Sequence, residues 1–182
     1  MGRGMKIVIA MLIPITVFVV ASLLLYVYPA HDEPGPVDAV FVIGPPTDGR
    51  IALAQQMIAE GDTDTLVVSI HPGDVEREYT PMADTVCTEP QPYTVICGEP
   101  DPFTTAGEAA WIRDLATENG WESVGVITFT PHLSRTRVIM ERCWDGDLRY
   151  LDSQEHIPAS YMLQQAFYQT AGFLKVAFRT GC

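Results

Sequence analysis

Twenty-two consecutive uncharged residues, Ile7 to Tyr28 (IVIAMLIPITVFVVASLLLYVY), constrain this chain more than anything that follows them. A bilayer hydrocarbon core about 30 Å thick is crossed by roughly 20 apolar residues in a helix. Pro14 would break a soluble helix but is tolerated in a spanning one, where neighbouring groups re-satisfy the freed carbonyl. Arg3 and Lys6 precede the run, and Asp32 and Glu33 follow it. Positive charge stays on the cytoplasmic side, so the N-terminus is expected inside and the remainder outside. A cleaved signal peptide is the alternative, but its apolar core is usually about 7–15 residues. The only small-residue site nearby, Tyr28-Pro29-Ala30, also contains a proline. The expectation is a cytoplasmic terminus over 1–6, an uncleaved single-pass anchor over 7–28, a linker over 29–37 and an extracytoplasmic domain over 38–182.

That topology changes the meaning of the charge and the cysteines. The segment after Ala30 holds nine basic residues against all 23 acidic ones, a net charge of −14. Such a surface repels nucleic acid and other acidic polymers at long range, so no nucleic-acid partner is expected. Cys87, Cys97, Cys143 and Cys182 all lie in the exported part. No CxxC or Cys/His spacing points to zinc, and no metal site is expected. Outside the cytoplasm an even count favours disulfides. Three connectivities are open. Cys87–Cys97 with Cys143–Cys182 is the expected one, because the first closes a short local loop and the second pins the C-terminal tail.

After the two-proline linker, strand and helix patterns alternate. Asp38–Ile43, Thr65–Ile70, Tyr93–Cys97 and Ser123–Thr128 read as strands, with Leu148–Leu151 a candidate fifth. Helices are expected over Gly49–Glu60, Thr104–Asn119, Pro131–Cys143 and Ser160–Phe178, the last with an apolar stripe that includes Leu163, Phe167, Phe173 and Leu174. Strands without polar alternation, separated by helices, indicate a mostly parallel sheet of about five strands covered on both faces. The fold class is therefore α/β, a three-layer sandwich with right-handed crossovers. Residues 71–92, rich in Pro, Asp, Glu and Thr, interrupt the rhythm and read as a short helix with a loop, or as a lid.

Ligands of open parallel sheets bind at the carboxyl ends of the strands. Four loops lie there: Gly44–Arg50, Ser69–Gly73, Glu99–Thr105 leading to Glu108, and Thr128–Arg135. In the fourth, Thr130 suits an N-cap and Pro131 a first helical position, which sets His132 and Arg135 on one face of the first turn. A helix N-terminus carrying a histidine and an arginine suits an anion. Arg50, in the first turn of another helix, could reach the same pocket. Each residue has a plainer reading. Arg135 and Arg137 could pair with surface carboxylates, His132 could be structural, and Thr105-x-x-Glu108 matches a capping box. His71, His132 and Glu99 lack diagnostic metal spacing. There is no P-loop, GxGxxG or GxSxG.

Taken in order, these segments resemble the YdcF/SanA/ElyC-like family, a bacterial domain of unknown function. DAVFVIG leads to Arg50 and its Ala-Leu-Ala helix; TLVVSI ends a strand near serine; Glu99 precedes TTAGEA; ITFTPHLSRTR carries Thr-x-x-x-His-x-x-Arg; and AFYQTAGFLKVAF matches the C-terminal helix. Residues 38–178 are covered. Gly44-Pro45-Pro46 and Ile70-His71 stand where relatives usually have paired glycines, and Phe129 stands in place of a serine. The resemblance implies a Rossmann-like fold, often membrane-anchored, acting in the bacterial cell envelope near peptidoglycan or lipid-carrier metabolism. No cofactor is specified.

The functional expectation is a pocket for a phosphorylated or otherwise anionic envelope molecule. Arg50 and Arg135, with Gly44, Thr105 and Thr128, would bind the anion; His132, with Glu99 or Glu108, would supply acid–base chemistry. As an enzyme the protein would be a phosphoester or pyrophosphate hydrolase. The competing reading is a non-catalytic scaffold, which predicts an exposed apolar patch.

Overall fold

The computed structural model describes residues 3–71, 80–178 and 181–182. Five strands form one parallel sheet in the order β3-β2-β1-β4-β5. They are β1 (Ala39–Val42), β2 (Thr65–Ser69), β3 (Thr94–Gly98), β4 (Ser123–Thr128) and β5 (Asp147–Asp152). Alternate residues of each strand go to opposite faces, which is why the strands are apolar throughout. Phe41, Val67, Val126 and Tyr150 pack with helices α4 (Thr105–Asn119) and α5 (Leu133–Cys143). Val40, Val42, Leu66, Val68 and Leu151 pack with α2 (Asp48–Glu60) and α3 (Pro81–Thr88). The three-layer α/β sandwich is as expected from the sequence. Helix α3 supplies the short helix anticipated within 71–92; the lid alternative falls largely on residues 72–79, outside the described residues.

Cys87 pairs with Cys97 and Cys143 with Cys182, at Cα separations of 5.8 and 4.7 Å. The first ties α3 to β3. The second holds the C-terminus to the end of α5.

Helix α1 (Arg3–Ser22) continues through a π-helical turn at Leu23–Val27. Its segment Ala10–Val27 is long and apolar enough to cross a membrane. The end of this helix is docked on the sandwich. Tyr26 is only 3% exposed, and its hydroxyl lies 2.9 Å from Thr170 Oγ1 on helix α6 (Ala159–Ala177). Ser134 Oγ donates to the Leu25 carbonyl at 2.8 Å. The linker then runs down the outer edge of β5: Asp32 and Tyr150 exchange hydrogen bonds of 2.8 Å, and Val37 N–H reaches the Asp62 carbonyl at 2.9 Å. The apolar helix therefore joins the sandwich towards the carboxyl ends of the strands. Glu60, Asp62, Asp64, Glu118 and Glu122 mark the opposite edge, where α2 and α4 end and β2 and β4 begin.

Candidate functional site

Helix α4 starts one residue earlier than a capping box at Thr105 would need. Thr104 is the N-cap, and its Oγ1 accepts the Gly107 N–H at 3.2 Å. Glu108 is thereby released from any capping role. It points across to the end of β1, where its Oε1 accepts the Gly44 N–H at 2.8 Å. Gly44 suits that approach, since a Cβ there would lie 2.9 Å from the Phe103 ring and 3.3 Å from Glu108 Oε1. Glu108 is 4% exposed. Burial raises its pKa, against the lowering influence of Ser69, the Gly44 amide, Arg50 and Arg135.

The fourth loop also differs from the sequence reading in detail. Thr130–His132 is a single 3₁₀ turn, so His132 is itself the residue preceding α5. Thr130 does not cap the helix; its hydroxyl donates to Asp152 at 3.1 Å. The turn still brings His132 and Arg135 together. Arg135 Nη2 is 2.6 Å from His132 Nε2, and Arg135 Nε donates to Gln169 Oε1 at 2.6 Å. A guanidinium can only donate, so Nε2 must be the accepting nitrogen and Nδ1 carries the proton. That proton faces Thr128 Oγ1 at 3.0 Å, while Thr105 Oγ1 lies 3.4 Å from Nε2. His132 is 5% exposed. Burial first, then Arg135 and Arg50, hold its pKa well below the ordinary value. The imidazole is neutral, and its lone pair is committed to Arg135. His132 is built to orient Arg135 rather than to carry a proton.

Arg50 is equally buried but differently held. It donates to the carbonyls of Ile43 at 3.1 Å and Pro45 at 2.7 Å, with Glu155 3.6 Å from its Nε. Its guanidinium stacks 4.9 Å from the Phe129 ring, which in turn lies 6.0 Å from the His132 ring. Burial lowers its pKa, opposed mainly by Glu155 and Glu108. Glu155 also accepts from Thr47. Arg50 thus shares the field around Glu108 and His132, but its contacts tie it to the first loop.

Arg135 differs from Arg50 in having no acidic partner among the described residues. Among the described residues it forms no ion pair, unlike Arg137, which sits 3.6 Å from Asp32. It lines a cleft of about 90 Å³ with Arg142 and Lys175, floored by Thr104, Thr105 and Ala106 in the first turn of α4. Three of the nine basic residues after Ala30 therefore meet beside one helix N-terminus, where backbone N–H groups also favour negative charge.

Two candidates are not brought in. Glu99 is exposed. His71 is also exposed and lies edge-on to Phe103, with ring centroids 4.6 Å apart. Sequence reading missed Gln169 and Gln165, which are buried and bonded to each other at 2.9 Å. The signal was present: Gln165 and Gln169 stand one helical turn apart, on one face of the helix.

The shift of His132 has a consequence for stability. A folded-state pKa far below the unfolded value of about 6.5 stabilises the fold fully above that pH, and the contribution is lost progressively as pH falls from there toward the folded value. Glu108 acts with the opposite sign: its raised pKa stabilises most below about 4.3, and that contribution is lost as pH rises through its folded value. The melting temperature of the wild type should fall between pH 7 and pH 5. His132→Gln, which keeps an acceptor for Arg135 but cannot titrate, should flatten that fall. Equal slopes for the two proteins would contradict the assignment.

The chain matches no family model, no curated protein and no solved structure. Its function must be argued from the site itself.

Proposed function

We propose that this is a membrane-anchored, extracytoplasmic protein of the bacterial cell envelope that binds a phosphorylated molecule at the carboxyl edge of its sheet. The observation that carries this reading is Arg135, a half-buried guanidinium with no acidic partner among the described residues of a strongly acidic domain. His132 and Gln169 fix its plane, leaving its remaining N–H donors for a ligand. The apolar helix, the two disulfides and the parallel sheet agree with an exported member of the YdcF/SanA/ElyC-like group, and that membership is part of the proposal.

The same residues suit hydrolysis of a phosphoester or pyrophosphate. Glu108, with its pKa raised by burial, would take a proton from water. The resulting hydroxide would form the new P–O bond as the old one breaks, and the departing oxygen would take up the proton from Glu108. Arg135 would neutralise charge on the phosphoryl oxygens. This reading moves acid–base chemistry from His132 to Glu108.

Binding and turnover of soluble and lipid-linked phosphates should be compared between wild type, His132→Ala and Glu108→Gln. His132→Ala should weaken binding, and Glu108→Gln should abolish any turnover while leaving binding in place. Wild-type behaviour from both variants would overturn the proposal and favour a scaffold.

A further inference from the structure

Glu108 carries the acid–base chemistry proposed above, yet it is only 4% exposed. A base that draws a proton from water has to be reached by that water. The strand ends close its inner side: Oε1 accepts the Gly44 N–H at 2.8 Å, and Ser69, at the end of β2, is wholly buried beside them. An aromatic ring closes the other side. A carbon added to Gly44 would lie 3.3 Å from Glu108 Oε1 and 2.9 Å from Phe103 Cζ, so the carboxylate and the tip of the ring meet over the same glycine. The cover has an electrostatic counterpart, since burial is the largest influence on the Glu108 pKa and raises it.

Phe103 is placed to move. It is partly exposed and belongs to neither of the two apolar clusters that fill the sandwich. It stands on the turn between β3 and α4, and its ring packs edge-on against His71 with centroids 4.6 Å apart. His71 is itself exposed, on the loop after β2. A ring held in this way can change rotamer without opening the core, so the motion is local and of small cost. The same turn joins the cover to the anion cleft. Thr104, the next residue, caps α4, and Thr104 and Thr105 floor the cleft beside Arg135. A ligand on that floor would touch the residue next to the ring.

We propose that Phe103 is the gate of this site: its ring, braced by His71, shuts water away from Glu108 and has to turn aside before the carboxyl can take a proton from water. This rests on the reading of Glu108 as the base. Phe103 is then a positioning residue, acting on the chemistry through the access it allows to Glu108. The closed ring keeps the base dry while the cleft is empty, and its place beside Thr104 lets an occupied cleft favour the open position.

The test reads access to Glu108 directly and needs no substrate. The full chain in bilayer nanodiscs is treated with a water-soluble carbodiimide and an amine, and modified carboxyls are quantified by peptide mass spectrometry. In the wild type the exposed Glu99 should be modified and Glu108 protected. Phe103→Ala should raise modification of Glu108 by about tenfold or more while leaving that of Glu99 unchanged. Phe103→Leu, which keeps an apolar cover, should stay near the wild type. His71→Ala, which removes only the brace at an exposed position, should give a smaller rise, and it decides the matter if Phe103→Ala fails to fold. Glu108 as protected in these alanine variants as in the wild type would overturn the gate. Glu108 as reactive as Glu99 in the wild type would overturn it equally. The base reading fails separately, through turnover that survives in Glu108→Gln.

Discussion

Replacing Arg135 with alanine is expected to weaken binding of phosphate-terminated ligands by about 10- to 100-fold. Hydrogen bonds to charged groups contribute about 1.5–3 kcal/mol each, and 1.4 kcal/mol is a factor of ten in affinity. Arg135 is the guanidinium with no carboxylate within ion-pair distance among the described residues, whereas Arg50 is tied to two loop carbonyls and lies 3.6 Å from Glu155. Arg135→Lys separates charge from geometry. A lysine keeps the charge but cannot donate to His132 and Gln169 from one fixed plane, so its affinity should fall between wild type and alanine. The wild-type affinity should also decrease with salt, and that dependence should be shallower in Arg135→Ala. Titration of the full chain with phosphorylated ligands, read by calorimetry at two ionic strengths, checks both points. An alanine variant with wild-type affinity and salt response would remove the anion site from this part of the molecule.

Much of the scaffold of that site is legible in the sequence because its signals are local. Continuous runs such as DAVFVI and SVGVIT report burial on both faces, and the three-residue spacing of His132 and Arg135 brings their side chains together by helical geometry alone. The short spacing of Cys87 and Cys97 likewise anticipates their bond. What the sequence obscures depends on partners far along the chain. The carboxylate of Glu108 bonds an amide 64 residues earlier, so a capping role looked equally good until the helix start was placed at Thr105. Gln169 looks like surface polarity because the sequence does not show that Arg135 lies across α6, where a Cβ on Gly172 would come 2.8 Å from Arg135 Cδ. The apolar stripe of α6 names a face without naming what lies against it, and in the fold Leu163, Phe167 and Leu174 are exposed. Apolar periodicity reveals that a face avoids water, and a protein core and a lipid leaflet satisfy it alike.

Gly107→Ala should be among the most damaging small substitutions in the sandwich, although alanine is the better helix former by about 1 kcal/mol. A Cβ at this position would lie 1.9 Å from the Pro102 carbonyl oxygen and 3.0 Å from its carbon. Both are backbone atoms, so no side-chain rotation relieves the clash. The same carbonyl accepts the Thr104 N–H at 2.8 Å, and Thr104 caps Gly107 in return. Either the 102–104 turn lifts or the first turn of α4 unwinds. Loss of the cap costs about 1 kcal/mol and overpacking about 1–3, so after the gain in propensity a net destabilisation of about 1–3 kcal/mol is expected. For a chain of this size that lowers the melting temperature by roughly 2–12 °C. Gly61→Ala is the comparison: its φ of 82° strains an alanine, but nothing lies within 4 Å of the added carbon. Its cost should be only about 1–2 kcal/mol, the penalty of a left-handed residue. The two variants should also separate in function. Gly61 lies at the far edge of the sheet, whereas Gly107 sits between Thr105 and Glu108, so any shift of the first turn moves the floor of the cleft and the buried carboxylate together. Gly61→Ala should bind phosphate ligands as the wild type does, and Gly107→Ala should bind them weakly even below its melting temperature. A Gly107→Ala protein with wild-type melting and affinity would show that the turn before α4 is not the rigid support of the site that these contacts describe.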